Sequence, residues 1–320
     1  MSSPHIRPLH RRDRDQLTDL VNAHATVAIP GMGTSVAALL ASLERDPGER
    51  ITDPWVAERA TLVAEQQHQV VAAAHMVRYL DDERTGKTYQ GLGEIKWLVF
   101  WPEAPSDNPY WTDATEAAEK LIAACIAEFD RWGVTRQAAG GNLPVSCGVY
   151  GVPEQWPHVR SLYERAGFHQ TGHSEIVYLA RIADLFRIPL SAVPGAVVRR
   201  SIGLNGTRLT GVLGEEVIGY IEVEIREKGE RLSPRGRWAD IGNLHVADPY
   251  QRRGVGTWLL GEATDWLDLA QVDNLLAYAD SDGPGQSDPT GYRAFLSAVG
   301  FRELTRTGRG WERTPEGCGG

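Results

Sequence analysis

Cysteine is scarce. Cys125, Cys147 and Cys318 are the three in 320 residues, odd in number, far apart and without a C-x-x-C pair. That spacing supports neither a disulfide framework nor a thiolate zinc site, and no metal is expected. Long apolar runs are missing too. No stretch reaches the roughly 18 residues that a membrane span needs. The opening "MSSPHIRPLHRRDRDQL" is polar and lacks the apolar core of a signal peptide. The expectation is a cytoplasmic protein with no membrane partner. Basic residues are outnumbered, 33 Lys and Arg against 42 Asp and Glu, for a net charge of −9. That balance argues against general nucleic-acid binding. It suits a cationic small-molecule substrate, although solubility alone also accounts for it.

What is present is ordinary for a globular chain, with 42% apolar and 23% charged residues. At about 100–200 residues per domain, the length suggests two domains. Pro189, Pro194 and Gly195 punctuate "RIADLFRIPLSAVPGAVVRR" between two structured patterns. The expected division is a domain at 1–186, a linker at 187–195, a second domain at 196–314 and a disordered tail at 315–320.

The two halves repeat one pattern, a sign to be sought early. "ATLVAEQQHQVVAAAHMVRY" and "TRLTGVLGEEVIGYIEVEIR" each read as strand, tight turn, strand. "GEIKWLVFWP" and "ADIGNLHVADP" share acid-Ile-x-x-Leu-x-apolar with a proline soon after. A helix follows each: Ala117, Leu121, Cys125 and Phe129 mark one apolar face, and Leu259, Leu260, Ala263, Trp266 and Leu267 the other. Asp113 is a plausible N-cap of the first. Both halves then give a strand, a short helix and a closing strand, with apolar-Gly-Phe at the last helix end. The first half adds strand "HIRPL" and helices near 14–24 and 35–45, the second behind a Ser or Thr cap in "GMGTS". A helical crossover between strands argues for parallel pairing within otherwise hairpin-built sheets. The fold class is α/β, of the mixed-sheet α+β kind: two tandem domains, each a mixed central sheet flanked by helices.

"HVADPYQRRGVGTWLLGEA" places Gln251, Gly254 and Gly256 in a Q-x-x-G-x-G at the mouth of a helix. Helix-start N–H groups have no intrahelical partner and carry the positive dipole end. The glycines permit close approach of a pyrophosphate, and Arg252 and Arg253 add charge. On these features alone, a solvated turn with glycines for its geometry is the alternative.

Together, "ADIGNLHVADPYQRRGVGTWLL", Gly300–Phe301 and "FRELTRT" resemble the GNAT superfamily of N-acetyltransferases over about Val197–Arg313. The first half resembles the same fold more weakly, through "GEIKWLVF" and "SLYERAGF". The resemblance implies acetyl transfer from acetyl-coenzyme A, the co-substrate, to an amine of a small molecule. It implies a cofactor site at Leu244, His245, Val246, Gln251, Arg252, Arg253, Gly254, Val255, Gly256 and Thr257, with backbone at Leu244–Val246 facing the acyl carbonyl and pantetheine. The first half offers "EAPSDNPYWTD" instead, with prolines, acids and no glycine, so no such site is expected there.

An ammonium with pKa of roughly 10.4 is neutral in only about one molecule in a thousand near pH 7, so a base is needed. The resemblance places Asp240 there, with a surface acid at a strand start as the alternative. Glu222 and Glu224, alternating on the neighbouring strand, are further candidates to bind or deprotonate the ammonium, against a solvated sheet face. By strict alternation Asp240 shares a face with Gly242 and Leu244, and His245 does not, which suggests an orienting role for His245. The family's tyrosine, a proton donor to the departing thiolate, corresponds to Tyr163 in the first half and to Leu296 in the second. Tyr292, one helical turn earlier, is the candidate replacement, with packing as the alternative. Glu94 matches Asp240 by position. Trp156, His158, Tyr150 and Tyr163 are candidates to line a first-half pocket, although tryptophan is more often core. The rival readings are a non-catalytic acyl-coenzyme A sensor or scaffold, prompted by Leu296, and a protein N-acetyltransferase. Acceptor, acyl length and oligomeric state are not legible.

Overall fold

The computed structural model describes residues 3–45, 51–102, 113–145, 150–187, 193–225, 237–281 and 289–314. The chain forms two compact units, Met1–Ser174 with Arg306–Gly320, and Glu175–Thr305. In chain order the elements are β1 (His5–Pro8), α1 (Arg14–Ala28), α2 (Val36–Glu44), β2 (Val56–Gln66), β3 (Gln69–Tyr79), β4 (Leu92–Phe100), α3 (Thr115–Trp132), β5 (Arg136–Ala139), β6 (Val152–Pro153), α4 (Pro157–Arg165) and β7 (His169–Gln170). There follow β8 (Ser174–Arg181), β9 (Ala196–Gly203), β10 (Gly206–Leu213), β11 (Glu216–Ile225), β12 (Trp238–Val246), α5 (Val255–Leu269), β13 (Asn274–Asp280), α6 (Pro289–Ala298), β14 (Arg302–Gly308) and β15 (Trp311–Arg313). No helix among the described residues is long and apolar enough to cross a membrane.

The first unit's sheet has the order β1-β2-β3-β4-β5-β15-β7. Among the described residues of this sheet only β4 and β5 run parallel, and α3 supplies the crossover that a parallel pair needs. The apolar spacing of α1 buries Leu17, Leu20, Val21, Ala25 and Ala28, and α3 buries Ala117, Leu121, Cys125 and Phe129. Helix α2 is capped by Ser35, whose hydroxyl accepts from Ala38 N–H at 3.1 Å. Asp113 takes the amide of Thr115 at 2.8 Å just before α3.

In the second unit β8, β13, β12, β11, β10 and β9 lie side by side in that order. Here β12 and β13 form the parallel pair, joined through α5. Its core gathers Val255, Trp258, Leu259, Ala263 and Leu267 of α5 against Leu209, Ile221, Val223, Ala239, Ile241 and Leu275 of the sheet.

Two features depart from the repeat read in the sequence. First, the closing strands are exchanged. Strand β8, at the end of the first half, pairs antiparallel with β13 and sends Ile176, Tyr178 and Ala180 into the second unit's core. Strand β15, near the end of the second half, lies between β5 and β7 in the first unit. Alternation identifies a strand but not its partner, so the pattern could not reveal the exchange. The punctuated segment at 187–195, of which 188–192 lie outside the described residues, accordingly falls within the second unit. Residues 315–320 also lie outside them. Second, the strand read as an addition of the first half has a counterpart, since β9 pairs with β10 as β1 pairs with β2; the helices α1 and α2 that join β1 to β2 are absent there, as expected, and Leu204 and Asn205 alone join β9 to β10.

Candidate active site

Strand β12 carries a bulge. Asn243 pairs with Glu222 and Ile241 with Val223, which leaves Gly242 as the extra residue. An isolated glycine inside a strand is the local signal for this. The bulge inverts the alternation beyond it. Ala239 and Ile241 face the core, and after Gly242 so do Leu244 and Val246. Directly paired residues share a face, so Asp240 (opposite Glu224), Asn243 (opposite Glu222) and His245 (opposite Tyr220) share the other one. The grouping of Asp240 with Leu244, and the separation of His245, are therefore corrected: an extra residue breaks the period of two.

Register extends that face across β10 and β9. Arg199, Thr210, Tyr220 and His245 form one row, and Ser201, Arg208, Glu222 and Asn243 the next. Glu224 and Asp240 close the series.

The parallel ladder between β12 and β13 covers Trp238–Asp240 against Asn274–Leu276 and then ends. Among the described residues, the registered partner of β12 from Ile241 to Val246 is β11 alone. Asp240 thus stands at the apex of a fork, buried at 4% exposure. The β13-facing edge of Leu244, His245 and Val246 lies along the opening, where the sequence places the acyl-binding backbone.

The open end of the fork leads to the glycine loop. Gly254 is the N-cap of α5, with φ of 79° in the left-handed region, and among the described residues no side chain caps the helix. Arg252 is left-handed as well. The first turn, Val255, Gly256 and Thr257, contains no acid, so its amides form a cradle for an anion. Arg252 and Arg253 are exposed beside it. Gln251 is exposed as well, but its side chain is engaged. Its side-chain amide donates to Val246 O at 3.1 Å and to Asp248 Oδ1 at 2.8 Å, which ties the loop to the end of β12. Tyr250 donates to Glu216 at 2.9 Å and holds the loop from the other side.

Glu222 has a different task from proton transfer. It is 1% exposed. It accepts from Arg208 Nε at 2.7 Å, Leu204 N at 3.2 Å and Asn205 Nδ2 at 3.1 Å. Burial alone raises its pKa, but the Arg208 hydrogen bond and charge with the turn amides outweigh it and hold the carboxyl below its usual range. It is the clip that folds the β9–β10 turn over the sheet, where Asn205 sits against Gly242. Sequence reasoning passed over Arg208, whose guanidinium lies 4.1 Å over the Tyr220 ring. An Arg and an acid at paired register positions was the available signal, visible only once the hairpin is aligned.

Tyr292 packs at the core margin beside Phe295, with ring centroids 6.3 Å apart, and burial pushes its phenol above the usual range. Phe295 lies 3.6 Å from where a Cβ on Gly256 would stand, so this face of α6 borders the loop. Leu296 is fully buried in the core. The polar loop at 226–236 lies outside the described residues.

The first unit repeats the fork with other contents. Its ladder ends at Ile95 with Ala139, and its bulge residue is Lys96. Glu94, matching Asp240, accepts from Tyr79 Oη at 2.7 Å and lies 3.5 Å from Lys96 Nζ. Tyr163 is buried and donates to Gly140 O at 2.8 Å. Trp156 is buried too, donating to His24 O at 3.1 Å, while His158 Nε2 lies 3.2 Å from His24 Nε2. These side chains build core rather than an open pocket. Tyr150 lies under the Arg309 guanidinium. The proline-rich stretch of the first half, 103–112, lies outside the described residues.

A glycine-led helix start at the mouth of a strand fork is a geometry that suits an anion at the helix amides and a carbonyl along the strand edge. Residues 197–284 match the acetyltransferase (GNAT) family. No curated protein matches the sequence. Among solved structures the chain is similar to a tandem GNAT protein from the clavulanic acid biosynthesis pathway, with TM-score 0.62, 14% identity and 97% of each chain covered. It is similar to a GCN5-related N-acetyltransferase from Sphaerobacter thermophilus, with TM-score 0.59, 12% identity and 98% and 95% covered. A glucosamine N-acetyltransferase region of a fungal multi-domain β-N-acetylglucosaminidase gives 0.61 at 13% identity, covering 98% of this chain and 38% of that one. At such identities the likeness concerns the fold. The GNAT family match lies within the second unit, and the fold over the whole chain is like that of a tandem GNAT protein.

Proposed function

We propose that the second unit moves an acetyl group from acetyl-coenzyme A to a primary amine of a small molecule. The observation that carries this reading is the fork of β12 and β13, with buried Asp240 at its apex and the uncapped start of α5 at its open end. The residues present fit the cofactor. Val255, Gly256 and Thr257 offer amides to a pyrophosphate, and Arg252 and Arg253 offer charge. Bound there, acetyl-coenzyme A supplies an activated thioester acyl group. Asp240 and Glu224 lie opposite each other, and two adjacent carboxylates favour an ammonium between them. Asp240 then takes the proton that makes the amine nucleophilic. Tyr292 keeps its proton at neutral pH and holds it at Oη for a thiolate.

Isothermal titration with acetyl-coenzyme A tests the site. Binding that is lost in Gly254→Asp is expected. Absent binding, or equal binding by that variant, overturns the proposal. Free-thiol release over an amine panel tests the chemistry. Binding without release from any amine favours the non-catalytic sensor, the reading that Leu296 in the tyrosine position supports.

A further inference from the structure

We propose that the acceptor is a primary amine that also carries an anionic group, a carboxylate or a phosphate, and that Arg208 and Arg199 recognise that group. The inference rests on the acceptor site assigned to Asp240 above. Arg208 and Asp240 share the sheet face opposite the core. The ion pair of Arg208 with Glu222 is asymmetric. The carboxylate side chain is 1% exposed and the arginine side chain 36%. A ligand arriving on this face meets the guanidinium, while the compensating charge lies beneath it.

The guanidinium is also held in place. Its Nε is committed to Glu222, and its plane lies over the Tyr220 ring. It has therefore crossed from β10 over β11, in the direction of β12. Its outer nitrogens form the end of a fork suited to two oxygens of one anion. In the next row, on edge strand β9, Arg199 is exposed and adds a second cation. The two-residue β9–β10 turn, standing where the first unit has two helices, accompanies a face on which Arg199, Asn243 and His245 remain exposed. Strand spacing puts the Cα atoms of Arg208 and Asp240 about 12 Å apart.

The test compares matched acceptors: β-alanine with its amide, 5-aminopentanoate with pentylamine, and O-phosphoethanolamine with ethanolamine. Thiol release is followed at saturating acetyl-coenzyme A. The expected result is at least a tenfold higher kcat/KM for anionic members, carried by KM. Arg199→Gln and Arg208→Lys should reduce that preference at least tenfold. Calorimetry with acetyl-coenzyme A verifies that each variant is folded. The carboxylate and phosphate pairs tell which anion is read. Equal use of neutral and anionic partners, or turnover of no anionic member while acetyl-coenzyme A still binds, overturns the inference and leaves the coenzyme site standing. Loss of all acetyl-coenzyme A binding by the wild type overturns both.

Discussion

Alanine at Gly254 and at Gly256 should change stability in opposite directions while both weaken cofactor binding. Gly254 has φ of 79°. A side chain in that left-handed conformation costs roughly 1–2 kcal/mol. That amounts to a fall of about 2–8 °C in the melting temperature of a unit this size. Gly256 stands in the first turn of α5, outside the left-handed region, and a Cβ there meets Phe295 at 3.6 Å and Val246 at 3.7 Å, which is ordinary contact. Glycine in a helix costs up to about 1 kcal/mol relative to alanine. Gly256→Ala should therefore melt at the wild-type temperature or a few degrees above it. If the cradle holds pyrophosphate by close backbone approach, the added methyl costs at least one charge-assisted hydrogen bond, about 1.5–3 kcal/mol. That weakens the Kd by roughly 10- to 150-fold. Thermal melts without ligand and titration calorimetry with acetyl-coenzyme A measure the two effects separately. Wild-type affinity in Gly256→Ala would refute the close-approach argument. A large loss of stability in the same variant would show that the glycine is needed for packing.

Asp240→Asn should keep acetyl-coenzyme A binding and lower kcat about 10²–10⁴-fold, as loss of a general base does; steady-state thiol release at high pH, where the amine is already neutral, should recover part of the loss. In the first unit, burial, with the charges of Lys96 and Arg59, pushes His75 down to about 3. The unfolded chain binds this proton below about pH 6.5 and the folded chain does not, so stability present above pH 6.5 is lost as pH falls towards 3. The linkage is about 3 kcal/mol by pH 4, and His75→Gln should flatten it, read as urea midpoints by fluorescence of Trp97, stacked on His75. Trp311 is 1% exposed in β15 and packs on Tyr163; Trp311→Ala should destabilise the first unit by about 3–5 kcal/mol, seen as a separate early transition in calorimetry.

The parts of this molecule that are local in the chain were legible from residues. The Q-x-x-G-x-G loop, the apolar faces of α1, α3 and α5, and the hairpins all depend on neighbours within a few positions. What escaped depends on register or on partners distant in the chain. Asp240 was assigned its strand and place, but not its face, because Gly242 adds a residue and reverses every side chain beyond it. Glu222 looked like a base because its alternation was right; that its oxygens are taken by Arg208, Leu204 and Asn205 appears only when β10 is laid against β11. The exchange of β8 and β15 follows from which sheet edge each strand reaches, and that is not encoded in its alternation.

The bulge residue also sets the two repeats apart at the position proposed for the acceptor. In the first unit the bulge residue is Lys96, and its ammonium lies 3.5 Å from Glu94, with both side chains largely buried. A charge of that sign beside that carboxylate is what an incoming acceptor would supply, so the position is filled by the chain itself. In the second unit the corresponding residue is Gly242, which places no side chain beside Asp240, and Asn205 takes up part of the room. Restoring the lysine should close the second unit as it closes the first. Because a Cβ at Gly242 collides with Asn205, the variant to make is Gly242→Lys with Asn205→Gly. Acetyl-coenzyme A should bind to it as to Asn205→Gly alone, while amine acylation falls at least a hundredfold. Undiminished acylation in the double variant would show that the acceptor amine does not approach Asp240 across the bulge, and would move the acceptor site to the Tyr292 side of the fork.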